Sequence, residues 1–88
     1  MMTPDMMAEE ISRWFSMCRR QRRLSIPDLA SQAGCEAELV KRIEKADFDA
    51  CLALRERYSD RSSIERKLCD LVGLSPKLCI VLDDGVIF

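Results

Sequence analysis

Two short stretches of this 88-residue chain concentrate basic side chains whose chemistry suits phosphate and base recognition. Lysine and arginine neutralise phosphates, and an arginine can also donate two hydrogen bonds to the edge of a guanine. Arg42 and Lys45 stand about one helical turn apart, so on a helix they would reach the DNA backbone or a base edge together. The two stretches contain Arg19, Arg20, Arg22 and Arg23 in the first, and Lys41, Arg42 and Lys45 in the second.

Two glutamates beside the second stretch oppose that chemistry. Glu36 and Glu38 would be repelled by phosphates, although a glutamate can accept a hydrogen bond from cytosine N4. Ala37 and Leu39 make the same segment partly apolar, which suits contact with a protein better than contact with a base edge. A second interpretation therefore makes Glu36, Ala37, Glu38 and Leu39 a protein-binding surface. A third gives the arginines a local role, balancing the negative end of the first helix and pairing with Glu36 and Glu38.

The pattern around these residues predicts two short helices joined by a tight turn. Leu29 and Ala30 fall on the first of them, and Val40 and Ile43 recur one turn apart on the second. Ala30 is small enough for a close helix crossing, and Gly34 permits the positive φ that such a turn needs. The apolar positions would form a shared seam that fixes the rotation of the second helix. This is the usual way to hold a helix in a DNA major groove.

The segment 13–46 resembles the lambda-repressor-like helix-turn-helix family, also described as the Cro/repressor or XRE type. The match covers roughly a third of the chain and predicts a helix-turn-helix motif over residues 24–46. The positions that carry the resemblance are Leu24, Ser25, Leu29, Ala30, Gly34, Val40, Arg42, Ile43 and Glu44.

The resemblance also implies roles for particular positions. In the family, an arginine near the end of the first helix pairs with a glutamate near the end of the recognition helix, which implies an ion pair between Arg19 and Glu44. It further implies that positions 36–39 meet bases. The departures from the family pattern are Ile26 in place of a glutamine, Lys45-Ala46 in place of Asn-Gly, and an additional segment over 47–60.

The function that this resemblance implies is a small DNA-binding transcription regulator, acting as a dimer on a two-fold site. Arg42 would enter the groove and Glu38 would read cytosine, while Arg20, Arg22, Arg23 and Lys45 would contact phosphates. The expected DNA-binding residues are Arg20, Arg22, Arg23, Ala37, Glu38, Lys41, Arg42 and Lys45. The alternative is a helix-turn-helix adaptor or antiactivator that does not bind DNA and docks its third helix onto another regulatory protein.

The composition of the chain excludes several other classes of function. The net charge of −1 supplies no general attraction to nucleic acid, so any attraction must be local. The 5 cysteines form no C-x-x-C pair and histidine is absent, so we expect no metal site, no cofactor and no enzymatic activity. No apolar run approaches the roughly 20 residues of a membrane span. These features favour a reducing cytoplasm with cysteines as small apolar residues, and leave Cys35, in the predicted turn, as a candidate redox-responsive thiol.

Helical periodicity predicts one domain over residues 1–76, built from five helices. The expected spans are Thr3-Pro4-Asp5 to about Arg22, then 26–32, 36–45, 48–58 and 63–72. Ser25 would cap the second helix, Ser62 or Ser63 would cap the fifth, and Gly73 would end it. The inward-facing candidates are Met7, Ile11, Trp14, Phe15 and Cys18 on the first helix, Phe48, Cys51, Leu52 and Tyr58 on the fourth, and Ile64, Leu68, Leu71 and Val72 on the fifth.

The last stretch, 77–88, reads as a β-prone tail because the apolar run Leu78–Leu82 meets a turn signal, Asp83-Asp84-Gly85. An isolated two-stranded hairpin is marginal in water, so the tail is expected either to cover the helices or to pair with a second copy. A homodimer contact is favoured because a two-fold regulator needs one. The expected fold class is therefore mainly α, a five-helix lambda-repressor-like domain with a short C-terminal β segment.

Overall fold

The computed structural model describes residues 4–74, and all regular structure within them is helical. The five predicted helices are confirmed, each end lying within one residue of its expected position. The predictions for the tail over 77–88, including its β structure and its homodimer contact, lie outside the described residues. The helices are α1 (Pro4–Gln21), α2 (Ile26–Ala33), α3 (Ala37–Glu44), α4 (Phe48–Arg57) and α5 (Ile64–Val72).

Side-chain oxygens close the starts of three helices. The Ser25 hydroxyl accepts a hydrogen bond from the Asp28 amide at 3.2 Å, as expected for the cap of α2. Ser63, rather than Ser62, caps α5 by accepting from the Arg66 amide at 3.0 Å. A third cap, in which Asp47 accepts from the amide of Ala50 at 3.1 Å, begins α4. Each cap satisfies one of the amides that a helix leaves unpaired in its first turn.

Four helices end on a residue with a left-handed backbone. Gly34 after α2 has φ 75° and Gly73 after α5 has φ 78°, as their sequence positions predict. Arg23 and Ala46 follow α1 and α3 with φ values of 56° and 61°. At Ala46 the next amide, that of Asp47, donates to the Arg42 carbonyl at 3.0 Å, which is the Schellman arrangement of a helix end. Ala46 therefore occupies a conformation that favours glycine.

Replacing Ala46 with glycine is expected to raise the free energy of unfolding by about 0.5–1 kcal/mol. Glycine removes the strain that an L-residue carries at φ 61°. Part of this gain is offset, because glycine loses more conformational entropy on folding than alanine does. Urea denaturation of the purified variant measures the change. Ala53→Gly, inside α4, is the matched control and is expected to lose about 1 kcal/mol. Equal losses at the two positions would contradict the assignment of strain to Ala46.

The core lies where α1 packs across α3, α4 and α5, and where α2 packs on α3 and α5. Every helix contributes at least two buried residues, and the largest of the fully buried side chains is that of Phe15. No helix within residues 4–74 has both the length and the apolar composition that crossing a membrane requires. The buried apolar residues are Met7, Ala8, Ile11, Phe15, Leu29, Ala30, Ala33, Val40, Ile43, Ala50, Cys51, Leu54, Leu68, Cys69, Val72 and Leu74.

Three of the predicted inward residues face solvent instead. Trp14, Phe48 and Ile64 are 37%, 39% and 38% exposed, so their assignment to the core was wrong. Trp14 lies about 100° around α1 from Phe15, which places the indole on the edge of the apolar face. Phe48 and Ile64 are the first residues of their helices, where one side has no preceding turn to pack against. Smaller residues, Ala8 on α1 and Ala50 and Leu54 on α4, take the inward positions.

Candidate nucleic-acid interface

Two helices of eight residues each, α2 and α3, are joined by a turn of three residues, 34–36. The turn is closed by the Cys35 amide, which donates to the Ala30 carbonyl at 3.0 Å. Leu29, Val40 and Ile43 have no solvent exposure and form the seam between the helices. Because the two buried residues of α3, Val40 and Ile43, face inward, the opposite side of that helix is fixed toward solvent.

The outward face of α3 carries a row of four charged residues. Glu38, Lys41, Arg42 and Lys45 are all exposed, and their spacing of three, four and seven residues puts them on one side of the helix. Three of the four are cations. We call this set the outward row. It unites the four charged residues on α3 and at its C-cap that the sequence assigned to DNA recognition.

A largely buried ion pair fixes α3 against α1. The Nε and Nη2 atoms of Arg19 donate to the two carboxylate oxygens of Glu44, at 2.5 and 3.0 Å. Their side chains are only 13% and 11% exposed. The hydrogen bond to Glu44 raises the pKa of Arg19 against the opposing effect of burial. A third bond, from Nη1 to the Leu24 carbonyl at 2.7 Å, extends the contact into the α1–α2 loop. The geometry is the one that the resemblance implied for this pair.

Sequence reasoning missed a second contact between the same helices. The Ser12 hydroxyl donates to the backbone carbonyl of Glu44 at 2.7 Å, and Ser12 is buried. It satisfies a carbonyl in the last turn of α3 that has no partner within the helix. The signal was present in the spacing, because Ala8, Ser12, Phe15 and Arg19 follow one another on the same face of α1. A serine in an otherwise inward row indicates a polar partner on the neighbouring helix.

Arg42 has a partner that the sequence analysis did not name. Its Nη2 atom donates to Asp47 Oδ2 at 2.8 Å, so pairing of this arginine with Glu36 or Glu38 is not what the structure shows. The same carboxylate caps α4. The bond from the Ala50 amide, and then the bond from Arg42, lower the pKa of Asp47. A lowered pKa means that these bonds stabilise the fold above the usual aspartate range and are lost as the pH falls below it.

The other arginines of the first stretch differ in their surroundings. The guanidinium of Arg22 lies against Gly73, where a β-carbon would overlap it. It therefore stands at the carboxyl end of α5, where the helix dipole favours a cation. Arg20 and Arg23 are exposed at the end of α1. Arg22 thus lies at the end of α5, whereas Arg19 and Arg20 stand in the last turn of α1, where the sequence analysis placed the balancing charges.

The start of α3 exposes its two carboxylates but only part of the apolar surface that protein docking requires. Glu36 occupies the cap position of α3 but makes no capping hydrogen bond with its side chain, and both Glu36 and Glu38 are exposed. Ala37 and Leu39 are half-buried and pack against the core. The apolar part of the predicted protein-binding segment is therefore turned partly inward, which leaves the two carboxylates as its prominent groups.

Burial raises the pKa of three of the thiols within residues 4–74, those of Cys18, Cys35 and Cys51. Burial, followed by Glu65 and Glu36, raises the pKa of Cys35, which keeps this thiol protonated and opposes the reactivity proposed for it. Burial raises the pKa of Cys51 to about 11. Within residues 4–74, no three side chains of the metal-ligating types gather into a possible metal site.

Comparisons of this chain with protein-family models, with curated proteins and with solved structures found no match.

Proposed function

We propose that this chain is a small transcription regulator of the lambda-repressor-like helix-turn-helix type, which binds duplex DNA through the outward row of α3. The observation that supports this most is the outward row itself, three cations and one carboxylate on the one side of α3 that the core leaves exposed. The outward row extends about 10 Å along the helix axis, and a helix about 10–12 Å in diameter fits a major groove about 12 Å wide.

We assign some of these cations to the DNA backbone and others to the bases. Lys45 at the end of α3 and Arg20 and Arg23 at the end of α1 are exposed cations suited to phosphates, and Arg22 adds charge nearby along the chain. Lys41 and Arg42 lie in the middle of the outward row, and Arg42 is the residue that enters the groove. Because the net charge is −1, binding depends on this local arrangement rather than on general attraction.

The wider parts of the proposal follow from the kind of function. On this proposal the chain acts as a homodimer on a two-fold site in the cytoplasm, with neither a cofactor nor catalysis. Light scattering of the full chain measures its mass in solution. A homodimer is the expected result.

The proposal is tested by selecting duplexes from a random library and measuring their affinity by fluorescence anisotropy across a salt series. We expect Lys45→Ala to lower affinity uniformly and to reduce the slope of log affinity against log salt by about one unit. Lys67→Ala, which removes an exposed lysine from α5, is the matched control and should leave the slope unchanged. Thermal melts confirm that both variants stay folded.

Failure of the chain to retain any duplex at low salt would contradict the proposal. The second candidate would then apply, an adaptor or antiactivator that presents the carboxylates of Glu36 and Glu38 to a basic surface of another regulatory protein. The free side chain of Glu36 at the start of α3 favours this candidate. Charge reversal at Glu38 should then abolish binding to the partner, whereas reversal at the exposed Glu56 on α4 should not.

A further inference from the structure

Arg42 and Asp47 are joined twice at the corner between α3 and α4. The Asp47 amide donates to the Arg42 carbonyl at 3.0 Å, and the Arg42 guanidinium donates to the Asp47 carboxylate at 2.8 Å. Asp47 is itself fixed, because the same oxygen accepts from the amide of Ala50 at 3.1 Å. The arginine of the outward row is therefore held by a group anchored on a second helix.

A guanidinium carries five N–H donors in a planar fork, and Asp47 is bonded to one of its nitrogen atoms. The remaining donors include a pair that matches the N7 and O6 acceptors of guanine in the major groove. Holding the side chain in place also reduces the rotamer freedom that Arg42 would otherwise lose on binding.

The charge of the pair separates base contact from phosphate contact. Arg42 and Asp47 together carry no net charge, so the pair adds little to the attraction for phosphates and releases few counterions. A carboxylate beside the guanidinium would also be repelled by a phosphate. The edge of a base carries no net charge, so it neither needs a net cation nor repels the carboxylate. Its acceptors have fixed positions, which a guanidinium held in one direction can match.

We infer that Asp47 is a positioning residue that orients Arg42 to read a guanine. The inference rests on the proposed DNA binding and names the base that the same site recognises. The neighbouring charges are Glu38, Lys41 and Lys45 along the outward row and Asp49 on α4. Asp47 is the carboxylate that the guanidinium bonds, so it is the group that directs Arg42.

The test uses the duplex that the wild-type protein selects, together with a set in which each base pair is changed in turn. Asp47→Asn keeps an oxygen that can cap α4 but removes the charge that holds Arg42. We expect discrimination at one G·C pair to fall about tenfold, without the shallower salt slope that loss of a phosphate contact would give. Arg42→Met should lose the same discrimination, and Asp47→Asn should then add no further loss.

Asp60→Asn is the matched control, because Asp60 is an exposed carboxylate of the α4–α5 loop that binds Ser62. It should leave base preference unchanged. Unaltered discrimination in Asp47→Asn would overturn the positioning role while leaving DNA binding intact. A uniform loss over all duplexes with Arg42→Met would show a phosphate contact and would overturn the assignment of a base to Arg42. If the wild-type protein retains no duplex, the proposed function and this inference both fall.

Discussion

Arg19→Met is expected to lower the free energy of unfolding by about 3 kcal/mol, the lower part of the range for breaking a buried ion pair. The change leaves the Glu44 carboxylate, 11% exposed, without the two bonds that compensate its burial. It also removes the bond to the Leu24 carbonyl. A small fraction of both side chains still meets water, which screens the remaining charge and keeps the loss from being larger. Urea denaturation monitored by circular dichroism measures the change.

Arg20→Met is the control for that experiment, because Arg20 is the adjacent arginine on the exposed side of α1. Loss of an exposed charge should alter stability by no more than about 0.5 kcal/mol. If the two variants lost equal stability, the pair of Arg19 and Glu44 would have no special role in holding α3.

Ala30→Leu is expected to cost about 1–3 kcal/mol through overpacking. Ala30 is 3% exposed, and its carbonyl accepts the bond from the Cys35 amide that closes the turn after α2. Three added carbon atoms have no space between α2 and its neighbours, so the helices must separate. Thermal denaturation shows the loss as a lower Tm.

The same substitution at Ala53 provides the comparison, because Ala53 is half-exposed on α4 and lies outside the apolar cluster that packs on the core. Ala53→Leu should leave stability almost unchanged. A melting temperature of Ala30→Leu equal to that of the wild-type protein would contradict the close packing of α2.

The helices could be predicted because their signals are local. Ser25 and Gly34 mark the two ends of α2, and each acts through atoms within a few residues of itself. The inward faces were predicted less well, because periodicity gives the direction of an apolar arc but not its edges. Trp14 stood at such an edge, and its size suggested burial that the neighbouring helices do not provide.

Some contacts between helices could be predicted and others could not. The pair of Arg19 and Glu44 was expected from the resemblance. The spacing of Ser12 indicates an inward polar partner but does not identify it as the Glu44 carbonyl. The bond from Arg42 to Asp47 depends on the angle at which α4 leaves α3, which is set by the left-handed backbone at Ala46. Packing and chain direction determine these contacts, and neither can be read from residue types alone.

The separation of the two sides of α3 has a consequence for how this surface changes through mutation. The residues that anchor the helix, Val40, Ile43 and Glu44, are distinct from the outward row. Substitutions in the two sets share few partners, so their effects on stability should add. Specificity can therefore diverge by drift at Glu38, Lys41 or Lys45 while the fold stays above its stability threshold. Arg42 is the exception, because altering it also disturbs the corner at Asp47, and change there must be compensated.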